Sequence, residues 1–450
     1  MLWTEEQARA LITDSGTLKR GLELAAPRHW SELGRTATAA WGHCAGSGSR
    51  PYQVALDLSG PAFKCSCPSR VFPCKHGAGL LLLLARQPEL LPEAAVPAWL
   101  AEWLTQRQQT QEKKAAKEVE AAPAAPATTT HPPEPSGEVS PQRLERMQRG
   151  AAELLVWLQD LISTGLAQTE KQPLSYWENQ AARLVDDQLP GLAGVLRELP
   201  ALRYAGLDWP ERLLARLGEL HLLAGALQRL AQLPDGLRQD VLQLVGVNVK
   251  KDDVLSRQPT ISDEWLVVGQ ATAEEDRLLV RRSWLWGQHT GRYALVLEYA
   301  FGGQPFATPL VPGGQYRGGL AFYPGSLPLR AVVGTIWTFT GLAPQRALPP
   351  GSNPAALLDD YATALGQLPW LREWPSTLTE VVPVPLPDGD TVLLHPPSGV
   401  QLPLRTPTGQ AWDLLAASGG HPLTVFGEWN GRAFLPLTYS PVAFAAGSPL

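Results

Sequence analysis

Cys65, Cys67, Cys74 and His76 are spaced C-x-C-x6-C-x-H and include three of the chain's four cysteines. Three thiols and one imidazole in so short a stretch are the ligand types of a structural zinc ion, which takes four soft or borderline donors in a tetrahedron. In an extended segment residues i and i+2 point the same way. Cys65 and Cys67 can therefore offer both sulfurs from a strand end, and Cys74 and His76 can do likewise from the turn into the next element. The intervening Pro68-Ser-Arg-Val-Phe-Pro73 is long enough to fold one pair over the other, and its two prolines stiffen it. The competing readings are buried thiols beside a surface histidine, or a disulfide from Cys65 or Cys67 to Cys74. The chain opens Met-Leu-Trp-Thr-Glu-Glu, without the basic and apolar stretches of a secretory leader. Reduced thiols and a cytoplasmic location are therefore expected.

The flanking pattern supplies elements to hold such a loop. Tyr52, Val54, Leu56 and Leu58 alternate with Gln53, Ala55, Asp57 and Ser59, the period of a half-buried strand. After His76, Gly77-Ala-Gly-Leu-Leu-Leu-Leu-Leu-Ala-Arg86 is apolar until Pro88, which suits a buried helix with His76 in its first turn. The leucine run is far short of the roughly 20 residues that span a membrane, and no other segment is long enough. Gly42-His-Cys44-Ala-Gly46 superficially matches a nucleophile elbow, but turn chemistry follows it where a helix is required. Cys44 reads as a small strand cysteine, and whether it lends a thiol to the metal is open.

With these residues in view, the array and the upstream Trp41–Gly60 segment resemble the SWIM zinc-finger family, whose signature is C-x-C, a variable spacer and C-x-H. The resemblance implies Cys65, Cys67, Cys74 and His76 as ligands of one structural zinc. It covers about the first fifth of the chain. The helical middle and β-rich end are similar in layout to long, uncharacterised bacterial SWIM proteins. Those are often encoded near MoxR-type AAA+ ATPases and von Willebrand A-type proteins, so the resemblance implies a protein partner of that kind.

Charge offers a second function. The chain carries net −5, with no global nucleic-acid signature. Residues 1–86 nevertheless balance to +4, leaving −9 for the remainder, and no acidic side chain occurs from Leu58 to Pro88. Lys64, Arg70 and Lys75 in or beside the loop are candidates either to track DNA or RNA phosphates or to offset the net negative charge of a zinc ion with three thiolates. Phe63 and Phe72 flank the loop and serve equally as packing for the leucine helix.

Gln106 to Val139 is rich in Gln, Ala, Pro and Thr, with almost no large apolar residue. It reads as a flexible tether, with a helical start through Lys117. Helical spacing resumes at Pro141, and five or six antiparallel helices are expected through residue 250. Glu219, His221 and Asp240 read as helix-surface groups. Beyond Ile261 the period becomes that of strands at 265–269, 277–286, 293–301 and 331–339. A helix over 354–368 follows, then a strand at 391–395 and a hairpin turning at Asn430-Gly431 as type I′. Gly313-Gly-Gln-Tyr-Arg-Gly-Gly319 lacks the lysine of a phosphate loop and reads as a loop. Most of the 16 tryptophans read as core.

The expected fold is α+β, with a small ββ-metal-loop-α finger in 1–104, a linker in 105–140, a helical region in 141–258 and a β-rich region in 259–450. No H-E-x-x-H, Walker A or G-x-S-x-G motif is present. The expected function is a non-enzymatic zinc-finger adaptor that binds protein, with nucleic-acid binding as the alternative. An enzyme would need a body pocket gathering His289, His395 or His421 with carboxylates. The tether predicts that losing a ligand, as in Cys67→Ser, unfolds the finger and spares the body.

Overall fold

A computed structural model describes residues 3–441 except 47–49, 70, 121–138, 205, 207, 276–277, 302–303, 344–346, 388 and 407–409. Two short helices, α1 (Glu5–Ala10) and α2 (Ser15–Leu24), lead into an antiparallel four-stranded sheet. Its strands β1 (Trp30–Arg35), β2 (Ala39–Cys44), β3 (Tyr52–Asp57) and β4 (Ala62–Cys65) are ordered as in the sequence. Helix α3 (Lys75–Arg86) lies on one face, where Val54 and Leu56 meet its leucines. Nine of its twelve residues are buried. The helix can sink this far because small residues meet at its crossing with α2: a Cβ on Gly21 would lie 2.9 Å from that of Ala78.

Strand β3 is not half-exposed as its alternation suggests. Helix α4 (Ala98–Glu120) covers the second face, packing Leu100, Trp99 and Trp103 against Ala39, Trp41 and Ala55. Arg107 of α4 forms an ion pair at 3.0 Å with buried Asp57 and donates to the Gly60 carbonyl at 3.1 Å. The stretch read as the start of the tether is thus helical to Glu120, in keeping with its Gln, Lys, Glu and Ala content. Most of the remaining tether, including His131, which its polar setting marks as a solvated histidine and not a ligand, lies outside the described residues.

Five helices, α5 (Pro141–Thr164), α6 (Leu174–Asp186), α7 (Pro190–Glu198), α8 (Trp209–Gln228) and α9 (Asp235–Val245), surround a separate core. Met147, Leu154, Leu158, Trp177, Leu184, Leu217 and Leu227 belong to it. Glu219 and His221 stay on the helix surface, but Asp240 does not. It accepts the Ser326 backbone N–H at 2.8 Å and the Ser326 hydroxyl, and burial raises its carboxyl pKa.

After α10 (Lys251–Arg257), β5 (Thr260–Glu275), β6 (Leu278–Gly287), β7 (Tyr293–Phe301), β8 (Gly314–Phe322) and β9 (Arg330–Leu342) close a barrel in the order β5-β6-β7-β9-β8. The β7–β9 pair is parallel. The glycine-rich stretch read as a loop is most of β8, paired to both β5 and β9. Its glycines are there for close approach, since a Cβ on Gly318 would run into the Ile336 carbonyl and Trp337.

A second sheet, β12-β11-β10-β13-β14, completes the chain. It comprises β10 (Trp374–Pro385), β11 (Thr391–His395), β12 (Val400–Pro403), β13 (Leu423–Trp429) and β14 (Phe434–Pro441), with helices α11 (Pro354–Gln367) and α12 (Gln410–Ser418). The hairpin at Asn430-Gly431 forms with Trp429 opposite Phe434, so its connection is longer than the two residues of a type I′ turn. Asn430 Oδ1 accepts the backbone N–H groups of Arg432 and Ala433, which stabilises that wider turn.

The N-terminal module does not stand apart. Val311 and Leu342 of the barrel region share its core with Trp3, Ile12 and the α3 leucines. Gln7 Nε2 donates to the Pro312 carbonyl at 2.8 Å.

Candidate metal centre

Strand β4 ends at Cys65, and the next two residues turn back beside β3. Ser66 N–H donates to the Gln53 carbonyl and Ser66 Oγ accepts the Gln53 N–H, each at 3.0 Å, which fixes the Cys65–Cys67 knuckle. Cys74 occupies the N-cap of α3, its sulfur accepting the Gly77 N–H at 3.5 Å, and His76 lies in the first turn. The leucine face drives α3 into the core, and burial of that helix is what brings its N-terminus to the end of β4.

The ligand atoms of Cys65, Cys67, Cys74 and His76 all lie within 4.8 Å of one another. His76 Nδ1 is 3.8 Å from Cys65 Sγ and 4.0 Å from Cys74 Sγ. Tetrahedral Zn–S bonds of about 2.3 Å place sulfur corners about 3.8 Å apart, so the spacing and the donor set fit a zinc ion. Among the described residues this is the one cluster of three or more His, Cys, Asp or Glu groups close enough to share a metal. All four cysteines are free thiols.

The hydrogen bond between Cys65 and Cys74 raises the Cys65 pKa, with burial adding to it. The same bond lowers the Cys74 pKa, against burial and with help from His76. Such a pair shares a proton that a metal ion would displace. Cys44 is different. Burial raises its thiol to about 11, and it sits in the apolar core beneath β2, outside the ligand cluster.

The basic residues separate. Lys64 is turned to α4, donating to the Trp99 carbonyl at 3.1 Å and lying over the Trp99 and Trp103 rings. It therefore braces the sheet and is withdrawn from the loop surface. Lys75 is exposed at the start of α3. Arg70 lies outside the described residues. Phe63 belongs to the leucine-helix core, with Phe72 edge-on to it at 5.8 Å. The bracing role of α4 was missed in the sequence, though Trp99, Leu100, Trp103, Leu104 and Arg107 recur at the three- and four-residue spacing of one helix face.

The histidines that would mark a catalytic site in the body are not gathered. His289 Nδ1 contacts Asp263 at 2.8 Å within a turn cap. Burial works against the Asp263 carboxylate, yet Thr290 and His289 hold it at about 2. His395 bonds Ser398 in its own turn, and His421 lies in the turn before β13.

A Cys3His cluster with the donor set of a metal site lies at the mouth of a buried helix, and a helical bundle follows it in the chain. Residues 142–245 match the family described as a SWIM-associated four-helix bundle domain, so the chain carries a SWIM-associated domain, consistent with a SWIM-type zinc-finger protein. That match covers the bundle and not the cysteine loop, so the two observations are independent. Comparisons with curated proteins and with solved structures give no match.

Proposed function

We propose that this is a non-enzymatic zinc-binding SWIM-type protein that works as a protein-interaction adaptor, with Cys65, Cys67, Cys74 and His76 holding one structural Zn2+. The observation that carries the reading is the closed donor set: four protein ligands within 4.8 Å leave no position for substrate or water. Three neighbouring thiols left unpaired are favoured by a reducing compartment, which supports a cytoplasmic location. Among the described residues no helix is long and apolar enough to cross a membrane.

The nucleic-acid alternative rests on the basic balance of the module, and two features count against it. Lys64 is committed to α4. The barrel has the strand order of oligonucleotide- and oligosaccharide-binding barrels, which use the outer face of their second and third strands. Here that face is covered. Trp284, Trp286, Tyr293 and Leu295 pack against Phe426 and Leu437 of the second sheet. Beneath them, fully buried Glu428 accepts from Trp284 Nε1 at 2.7 Å and pairs with Arg282 at 2.6 Å. These tryptophans are core, and a single strand has no stacking platform there.

The test is metal content of protein purified without added metal, with thiol titration before and after chelation. Close to one zinc per chain, with three thiols released by chelator, supports the reading; no metal, or thiols lost to disulfides, sinks it. Pull-downs then compare MoxR-type ATPases and von Willebrand A-type proteins with DNA and RNA. Salt-sensitive retention on nucleic acid, lost on substitution of Lys64, Arg70 and Lys75, would favour the alternative.

A further inference from the structure

Beside the metal ligands lies a cleft of about 470 Å³ between α2, the β2–β3 connection, the metal loop and the start of α3. Among the described residues that line it, Arg20 and Lys75 are the cations and none is acidic. Leu24, Tyr52, Pro68 and Val71 give it an apolar wall. Val71 and Phe72 next to it are 43% and 49% exposed, large apolar side chains left in solvent at the loop tip. Cys67 and His76 also face the cleft, but its volume is far larger than one ion requires.

Among the described residues Lys75 has no ion-pair partner, and Arg20 has only a long one, Asp14 at 3.8 Å, with side-chain exposures of 55% and 35%. Asp14 is engaged in capping α2 through the Thr17 N–H. A zinc ion with three thiolates would carry one net negative charge, which one cation offsets. The other cation, with the positive end of the α3 dipole, leaves a net attraction for a carboxylate.

We infer that this cleft is a docking site for an acidic, apolar peptide segment of a partner protein, its carboxylates meeting Lys75 and Arg20 and an aliphatic or aromatic side chain meeting Leu24 and Val71. The inference rests on the adaptor reading and gives its partner a chemistry. A nucleic acid suits the cleft less well. Leu24, Pro68 and Val71 offer apolar surface that an aliphatic or aromatic side chain can cover and a phosphate backbone cannot. The aromatic ring in the cleft, Tyr52, packs on His76 with ring centroids 4.8 Å apart and planes tilted by 42°.

The experiment uses the full chain, with zinc content measured on each preparation. Fluorescent short peptides alternating Leu or Phe with Glu are titrated by anisotropy, beside the same peptides with Gln or Lys for Glu and a single-stranded thymidine oligonucleotide. The expected result is binding of the Glu series alone, weakened about tenfold by Lys75→Glu and by Arg20→Glu. Val71→Ser should weaken it through the apolar half while leaving its salt dependence in place. Glu at the first turn of a helix is compatible with the dipole, so Lys75→Glu keeps α3 folded, and unchanged zinc content verifies it. Equal binding of Glu and Gln peptides, no peptide binding by zinc-loaded protein, or displacement of peptide by the oligonucleotide overturns the inference. Absence of zinc would instead overturn the adaptor's metal site, so the two failures are distinguishable.

Discussion

The N-terminal module and the helical bundle solve the same burial problem with different means. The bundle builds its core from facing helices, with Leu154, Leu158, Leu217 and Leu227, and holds no candidate metal cluster among the described residues. The module places a short sheet between α3 and α4, anchors one end of α3 at the Cys3His cluster, and completes its core with Val311 and Leu342 from the barrel region. The bundle takes its core almost wholly from its own helices, and meets the rest of the chain at Asp240 with Ser326 and at Trp370. A small sheet with short helices draws on a neighbour and, on the proposed function, on a metal. The comparison implies that disturbance at the metal spreads into the barrel and bypasses the bundle.

Metal loss is the strongest way to break that comparison. Structural zinc contributes about 10 kcal/mol or more of folding free energy in small zinc modules. Chelation, or Cys67→Ser, should therefore unfold the loop and the α3 N-terminus. Because α3 shares its core with Val311 and Leu342, amide exchange should rise around residues 311–314 and 342 as well, while residues 147–245 remain protected. Hydrogen exchange read by mass spectrometry distinguishes the outcomes. Protection of the barrel unchanged by metal loss would return the molecule to two independent units, as the tether alone suggests.

What the sequence made legible follows the same division. Ligand spacing, the leucine helix and the bundle's periodicity are local signals, and each matches an element of the fold. The misses are tertiary. Alternation in β3 reads as half-burial because nothing local to Ala55 shows that α4 returns to cover it. Glycines at 314, 318 and 319 read as loop because their use, close strand approach, exists only once the barrel closes. Lys64 read as a loop cation because its partners on α4 are 35 residues away. Asp240 read as a surface charge because Ser326, its partner, is 86 residues away.

Core truncations sharpen the contrast at a smaller scale. Leu82 and Leu217 are both fully or almost fully buried, so Leu82→Ala and Leu217→Ala should each cost about 3 kcal/mol. The cost falls on different functions. Leu82→Ala loosens α3 behind Cys74 and His76 and should weaken zinc affinity measured by chelator competition. Leu217→Ala should lower the melting of the bundle and leave zinc affinity unchanged. Equal loss of zinc affinity in both variants would mean that bundle and module fold as one cooperative unit.

The smallest expected effect isolates the link itself. Gln7 is almost completely buried and does two things: its Oε1 closes the capping box of α1 by accepting the Thr4 N–H at 2.9 Å, and its Nε2 reaches the Pro312 carbonyl. Gln7→Ala leaves both partners without that bond, at a cost of about 1–2 kcal/mol. Gln7→Glu keeps the capping acceptor but removes the donor to Pro312, so the difference between the variants reports the barrel contact. Zinc content should be unchanged in both. If α1 relays the state of the metal site, the exchange difference around residues 311–314 between zinc-loaded and chelated protein should shrink in Gln7→Ala and Gln7→Glu alike. An undiminished difference in both would assign the coupling to the apolar contacts of Trp3, Ile12, Val311 and Leu342, and not to the hydrogen bond.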